Sequence, residues 1–95
     1  MVSEKLKKIL NDFIIDRNWN KYHTEENLAK AISVESGELL KNYLWDESFR
    51  KRCDEIIIDE IADILIYIYY LCELKNLDTE KIILNKIAKN KIKYT

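Results

Sequence analysis

The sequence predicts an all-α protein, and three observations carry that prediction. Its 95 residues include no proline and one glycine; the turns of a β-sandwich, and linker-rich chains, need far more residues that adopt special dihedrals. Hydrophobic residues make up 47% and aromatic residues 11%, too much apolar surface for a disordered segment. Those residues recur with a helical period in four segments. The expected architecture is a four-helix bundle in one domain over residues 1–95. A chain this short buries only about 60–65% of its unfolded surface, so the bundle is expected to be completed by homo-oligomerisation, as a homodimer or homotetramer.

Each helix can be argued in turn. The first, residues 3–18, places Leu6, Ile9, Leu10, Phe13 and Ile14 on one stripe, with Ser3 as N-cap and Glu4 in the first turn. Asn18, Trp19 and Asn20 read as its exit. The second follows the N-cap Thr24, with Glu25 and Glu26 next, and runs to residue 44 with Leu28, Ala31, Ile32 and Leu39 inward. Residues 45–52 read as the one substantial loop. The third, residues 53–75, is apolar nearly all round and must be covered on more than one side, which makes it the expected subunit interface. The fourth, residues 79–91 behind the N-cap Asp78, puts Ile83, Ile87 and Asn90 on one face.

Charge and hydropathy narrow the partners. Sixteen Lys and Arg stand against 17 Asp and Glu, a net charge of −1, which gives no general attraction to nucleic acid or anionic membrane. The longest apolar run, residues 64–72, has nine residues, short of the roughly 20 that cross a bilayer. Residues 1–5 open no signal peptide, so a cytoplasmic protein is expected. Cys53 and Cys72 fall on one helix about 28 Å apart, beyond disulfide reach. The lysines at 86, 89, 91 and 93 are spread round their helix with no DNA-binding motif beside them, so nucleic acid is not the expected partner.

The acids carry the chemistry. Two i, i+3 pairs, Glu35/Glu38 and Glu60/Asp63, fall within the stripes that should be buried, beside Leu28, Ala31, Ile32 and Leu39 on the second helix and beside Ile56, Ile64 and Tyr67 on the third. Chance yields about as many such pairs, so their location is the signal. Converging buried carboxylates repel one another and need a positive partner. Neither stripe offers Lys or Arg, whereas a hard divalent cation takes oxygen ligands and shares them with phosphate. The competing reading is that both pairs are solvated at a bundle end. A di-iron centre is excluded, because the residue three before His23, the only histidine, is Asn20 rather than Glu. Gly37 between the first two acids suggests close approach by a helix or ligand.

A set of motifs resembles a known family. Trp19-Asn20-Lys21-Tyr22-His23, then Asn27-Leu28-Ala29, Glu35-Ser36-Gly37-Glu38 and Trp45, then Glu60-Ile61-Ala62-Asp63 with Tyr67, and finally Lys86 to Asn90 resemble the MazG-like nucleotide pyrophosphohydrolases. The likeness is nearest to their short dCTP-pyrophosphatase-like branch. It covers residues 13–94 in order, and departs where Thr24-Glu25 stands in place of the proline that members often carry.

The resemblance implies an all-α enzyme that hydrolyses a (d)NTP, such as dCTP or a modified dNTP, to monophosphate and pyrophosphate with Mg²⁺, for which Mn²⁺ can substitute. It implies that Glu35, Glu38, Glu60 and Asp63 hold the metal, with Glu38 and Glu35 catalytic. It maps a base pocket onto Trp19, His23 and Trp45, and sugar or phosphate contacts onto Tyr67, Lys86 and Asn90. The residue types suit those roles, since indoles stack on bases and Lys supplies a point charge. The alternative is a non-enzymatic helical interaction or regulatory module with an exposed acidic patch.

Overall fold

A computed structural model describes residues 2–44 and 54–94 of the chain. Among these residues there are four α-helices and no β-strand: α1 (Glu4–Asp16), α2 (Glu25–Lys41), α3 (Asp54–Leu74) and α4 (Thr79–Lys93), with one 3-10 turn at Asn20–Tyr22. The all-α class is as expected, and the helix ends fall within three residues of those read from the sequence. Trp45, Cys53 and the expected 45–52 loop lie outside the described residues.

Local chemistry sets the ends. Ser3, Thr24 and Asp78 each accept a hydrogen bond from the backbone N–H three residues on, at 3.1, 3.1 and 3.0 Å, which satisfies a donor that the first turn leaves unpaired. Two helices end in left-handed asparagines, Asn18 at φ 55° and Asn76 at φ 59°. In both, the next residue's N–H reaches back five residues, Trp19 to the Ile14 carbonyl at 3.1 Å and Leu77 to the Cys72 carbonyl at 2.8 Å. This is the Schellman pattern, with asparagine where glycine is commoner. Helix α2 stops at Lys41, three residues before the expected end. The buried Asn42 folds its amide back onto the Glu38 and Leu39 carbonyls at 3.1 and 3.4 Å, giving those end groups a side-chain donor.

Helices α2 and α3 form an antiparallel pair, the only extensive helix–helix contact among the described residues. Leu28, 2% exposed, packs with Ile14, Tyr69 and Tyr70, and Leu10, Tyr67 and Leu71 lie against that cluster. Glu25 at the start of α2 pairs with Lys75 just past the end of α3. Helix α1 is tied on by the Tyr70 hydroxyl, which donates to the Leu10 carbonyl at 2.8 Å, and by Lys7 and Glu73 at 3.9 Å.

Elsewhere the expected inward faces are open. On α1 only Ile14 is buried and Leu10 half-buried, while Leu6, Ile9 and Phe13 are exposed. No residue of α4 is buried, and Ile83 and Ile87 are exposed. On α3 the exposed residues Ile58, Ile61, Leu65 and Ile68 follow the three-four spacing of a helix-packing seam. At Gly37 no other part of the chain comes close, since a Cβ there would meet nothing within 4 Å. The accessible surface is 7743 Å², against about 5,800 Å² for a compact monomer of this mass. The radius of gyration is 16.0 Å, against about 12 Å for a compact domain of this length. Among the described residues no helix is long and apolar enough to cross a membrane.

Candidate metal centre

The antiparallel register of α2 and α3 brings three of the four expected acids together. Glu35, Glu60 and Asp63 each offer a carboxylate oxygen, and these oxygens lie within 4.8 Å of one another. Glu35 and Glu60 are half-buried and Asp63 is exposed, so the cluster opens to solvent on its Asp63 side. The Glu35 carboxyl is held above its ordinary 4.5. The hydrogen bond it shares with Glu60 is the largest cause, followed by partial burial and the negative charges of Glu60, Asp63 and Glu38. Glu60 Oε2 is buried and has no hydrogen-bond partner.

An orphaned buried oxygen beside a carboxyl forced toward its protonated form describes a site short of positive charge. The oxygen-only donor set suits a hard divalent cation. Glu38 is placed differently. It is half-buried one turn along α2, and its carboxylate is engaged by Lys41 Nζ at 3.2 Å. The sequence stripe missed this cation because Lys41 stands three residues on, beside Glu38 on the helix surface.

The other expected site residues are placed by contacts of their own. Tyr67, one turn beyond Asp63, is half-buried against the core cluster. The His23 ring lies tilted on Tyr70 with centroids 5.0 Å apart, and burial pushes its imidazole below the ordinary 6.5. Asn27 Nδ2 donates to the Tyr22 carbonyl at 3.1 Å, fastening the 3-10 turn to α2. Trp19 is 44% exposed and sits edge to face with Phe13, centroids 5.5 Å apart. Lys86 is exposed and Asn90 half-buried on α4, which makes no extensive contact with another helix among the described residues. A hollow of about 340 Å³ lined by Tyr69, Glu73 and Asp78 among others contains none of the expected site residues. Sequence reasoning missed Arg17, whose guanidinium lies 3.7 Å from the Phe13 ring centroid and 5.8 Å from that of Trp19.

The sequence profile of the MazG-like family matches residues 30–95, a stretch that contains the whole acidic cluster. The chain belongs to the MazG-like family. A pyrophosphatase from Archaeoglobus fulgidus of known crystal structure superposes with a TM-score of 0.89 at 37% identity, covering 96% of this chain and 90% of that one. The dCTP pyrophosphatase 1 of Homo sapiens is 26% identical and that of Rattus norvegicus 24%, each over 96% of this chain. The chain spans 58% of the length of those two relatives. Its all-α architecture is therefore that of a MazG-like protein, and the resemblance seen in the motifs holds for the chain as a whole.

Proposed function

We propose that this MazG-like chain, as one domain over residues 1–95, is a cytoplasmic nucleoside triphosphate pyrophosphatase that converts a (d)NTP to the monophosphate and pyrophosphate. The observation that carries the reading is the Glu35, Glu60 and Asp63 cluster with its unpartnered Glu60 oxygen. These three residues would hold Mg²⁺, with Mn²⁺ as a substitute, and Glu38 joins them by exchanging Lys41 for the cation. When bound, the metal supplies positive charge to the triphosphate and lowers the pKa of a coordinated water. Once released from Lys41, Glu38 would also serve as general base, taking a proton from the attacking water. Glu35 must be ionised for the site to load.

Trp19, His23 and Trp45 form the base pocket in this reading, and Tyr67, Lys86 and Asn90 contact sugar and phosphate. The names of the curated relatives favour dCTP or a modified deoxynucleotide. Self-association as a homodimer or homotetramer belongs to the same reading, because the uncovered seam of α3 and the bare α4 need a second surface.

A panel of canonical and modified dNTPs with Mg²⁺, scored for both products, tests the reaction. Pyrophosphate and monophosphate are expected in equal amounts. Replacing a metal ligand, as in Glu60→Gln or Asp63→Asn, should lower kcat/KM by about 10²–10³ if it removes several kcal/mol of charge stabilisation. Release of single phosphate would point to another bond and overturn the proposal. A non-enzymatic module would give no thermal shift with Mg²⁺ and nucleotide, whereas a loaded site stabilises by mass action.

A further inference from the structure

The C-terminus of α1 carries an aromatic and cationic cluster that neither the metal centre nor the core accounts for. Phe13, Arg17 and Trp19 are exposed, so burial does not explain why they lie together. Backbone geometry brings them there. Asn18 adopts φ 55°, the chain doubles back, and the Trp19 N–H closes on the Ile14 carbonyl at 3.1 Å. In a Schellman ending the residue after the left-handed position packs against the last full turn of the helix. Trp19 accordingly meets Phe13 at 5.5 Å with an interplanar angle of 73°. Arg17 closes the group from the side, its guanidinium stacked over Phe13 and within 5.8 Å of the indole centroid.

An indole at a surface ordinarily samples several rotamers, and binding would have to select one of them. Here two neighbours on the same helix end restrict it, one by edge-to-face contact and one by cation–π attraction. The side chain still leaves 44% of the residue's surface open to a ligand.

We infer that Arg17 and Phe13 are positioning residues that pre-set the Trp19 indole for stacking on the nucleobase. Neither residue touches the reacting phosphates, so their effect falls on nucleotide affinity and spares turnover. The inference rests on the reading of Trp19 as a base contact.

The test separates the two claims. Steady-state kinetics with the best-hydrolysed dNTP would compare Arg17→Ala, Arg17→Lys, Phe13→Leu and Trp19→Ala. In a Trp45→Phe background Trp19 is the only tryptophan, and its fluorescence anisotropy and its quenching by the four deoxynucleoside monophosphates would be followed with and without Arg17→Ala. Arg17→Ala and Phe13→Leu are expected to raise KM about five- to tenfold, with kcat within about twofold and the Mg²⁺-induced thermal shift unchanged. Arg17→Lys should keep part of the affinity, and Trp19 anisotropy should fall in Arg17→Ala. If Trp19→Ala raises KM while Arg17→Ala and Phe13→Leu do not, the positioning role is overturned and the base contact stands. If Trp19→Ala leaves KM unchanged, the base contact itself fails and the inference fails with it. A lower melting temperature with unaltered KM and anisotropy would make the cluster a helix-end brace and overturn the proposal.

Discussion

Glu35 is the residue at which the charge and the protonation of the acidic cluster converge. Its folded pKa lies above the ordinary 4.5, so the folded chain holds this proton more tightly than the unfolded chain does. Stability from this group is fully present below the unfolded pKa and lost as pH rises through the folded one. The metal-free protein is therefore expected to lose stability at this position as pH rises above about 4.5, and Glu35→Gln, which cannot ionise, is expected to remove that slope. A divalent cation competes with the same proton, so the Mg²⁺-induced rise in melting temperature should shrink as pH falls back toward that value. Melting curves of wild type and Glu35→Gln in chelator and in Mg²⁺ check both statements. A metal-induced shift independent of pH would remove Glu35 from the ligand set.

At the scale of elements, two substitutions separate what a helix needs from what the packing needs. Gly37 lies inside α2 with open space where a Cβ would stand. Gly37→Ala is expected to stabilise by about 0.5–1 kcal/mol, a rise in melting temperature of roughly 2–8 °C for a chain this small. If activity falls while stability rises, a second copy or the nucleotide occupies that space. Leu28→Ala removes the most deeply buried side chain, the one on which α1, α2 and α3 close. Denaturant titration should register a loss of about 2–5 kcal/mol, much of the stability of a small domain.

The same elements show how far local sequence reaches. The three N-caps are legible because a cap is a contact across three residues. The early stop of α2 at Asn42 was not legible, since asparagine marks an end only when its amide finds the carbonyls behind it. The i, i+3 acids were legible as a pair of pairs. That Glu38 would lean on Lys41 while Glu35 met Glu60 and Asp63 was not, because residues three apart differ by about 60° around a helix. A modest rotation decides which of them faces the neighbour.

The molecule as a whole exposes about 2,000 Å² more surface than a compact chain of its mass, and much of what it exposes is apolar. A standard subunit interface buries about 1,200–2,000 Å² counted over both partners, or about 600–1,000 Å² from each, and obligate ones reach about 2,000–5,000 Å², so the excess on each chain is of the size that an extensive obligate contact, or two standard ones, would remove. Leu65→Glu, in the middle of the α3 seam, is expected to shift the protein to monomers in light scattering. It should also abolish any dependence of melting temperature on concentration. An unchanged assembly would move the interface to α1 or α4. Either result leaves the helix content intact, because these residues are exposed within the single chain.

By itself the sequence determined four helices, three of their N-caps, and two acid pairs at i, i+3 spacing on the second and third helices. Periodicity and capping act within one or two turns, so a single chain can be read for them. Only the tertiary structure decided which three carboxylates converge, which apolar stripes stay bare, and that an arginine is stacked beside the exposed tryptophan. The convergence depends on the mutual rotation and register of α2 and α3, set by packing between Leu28 and the Tyr69 and Tyr70 pair, some forty residues apart in the chain. The bare stripes follow from a shortage of partners: an amphipathic face declares that it wants cover, and a 95-residue chain has too few helices to cover them all.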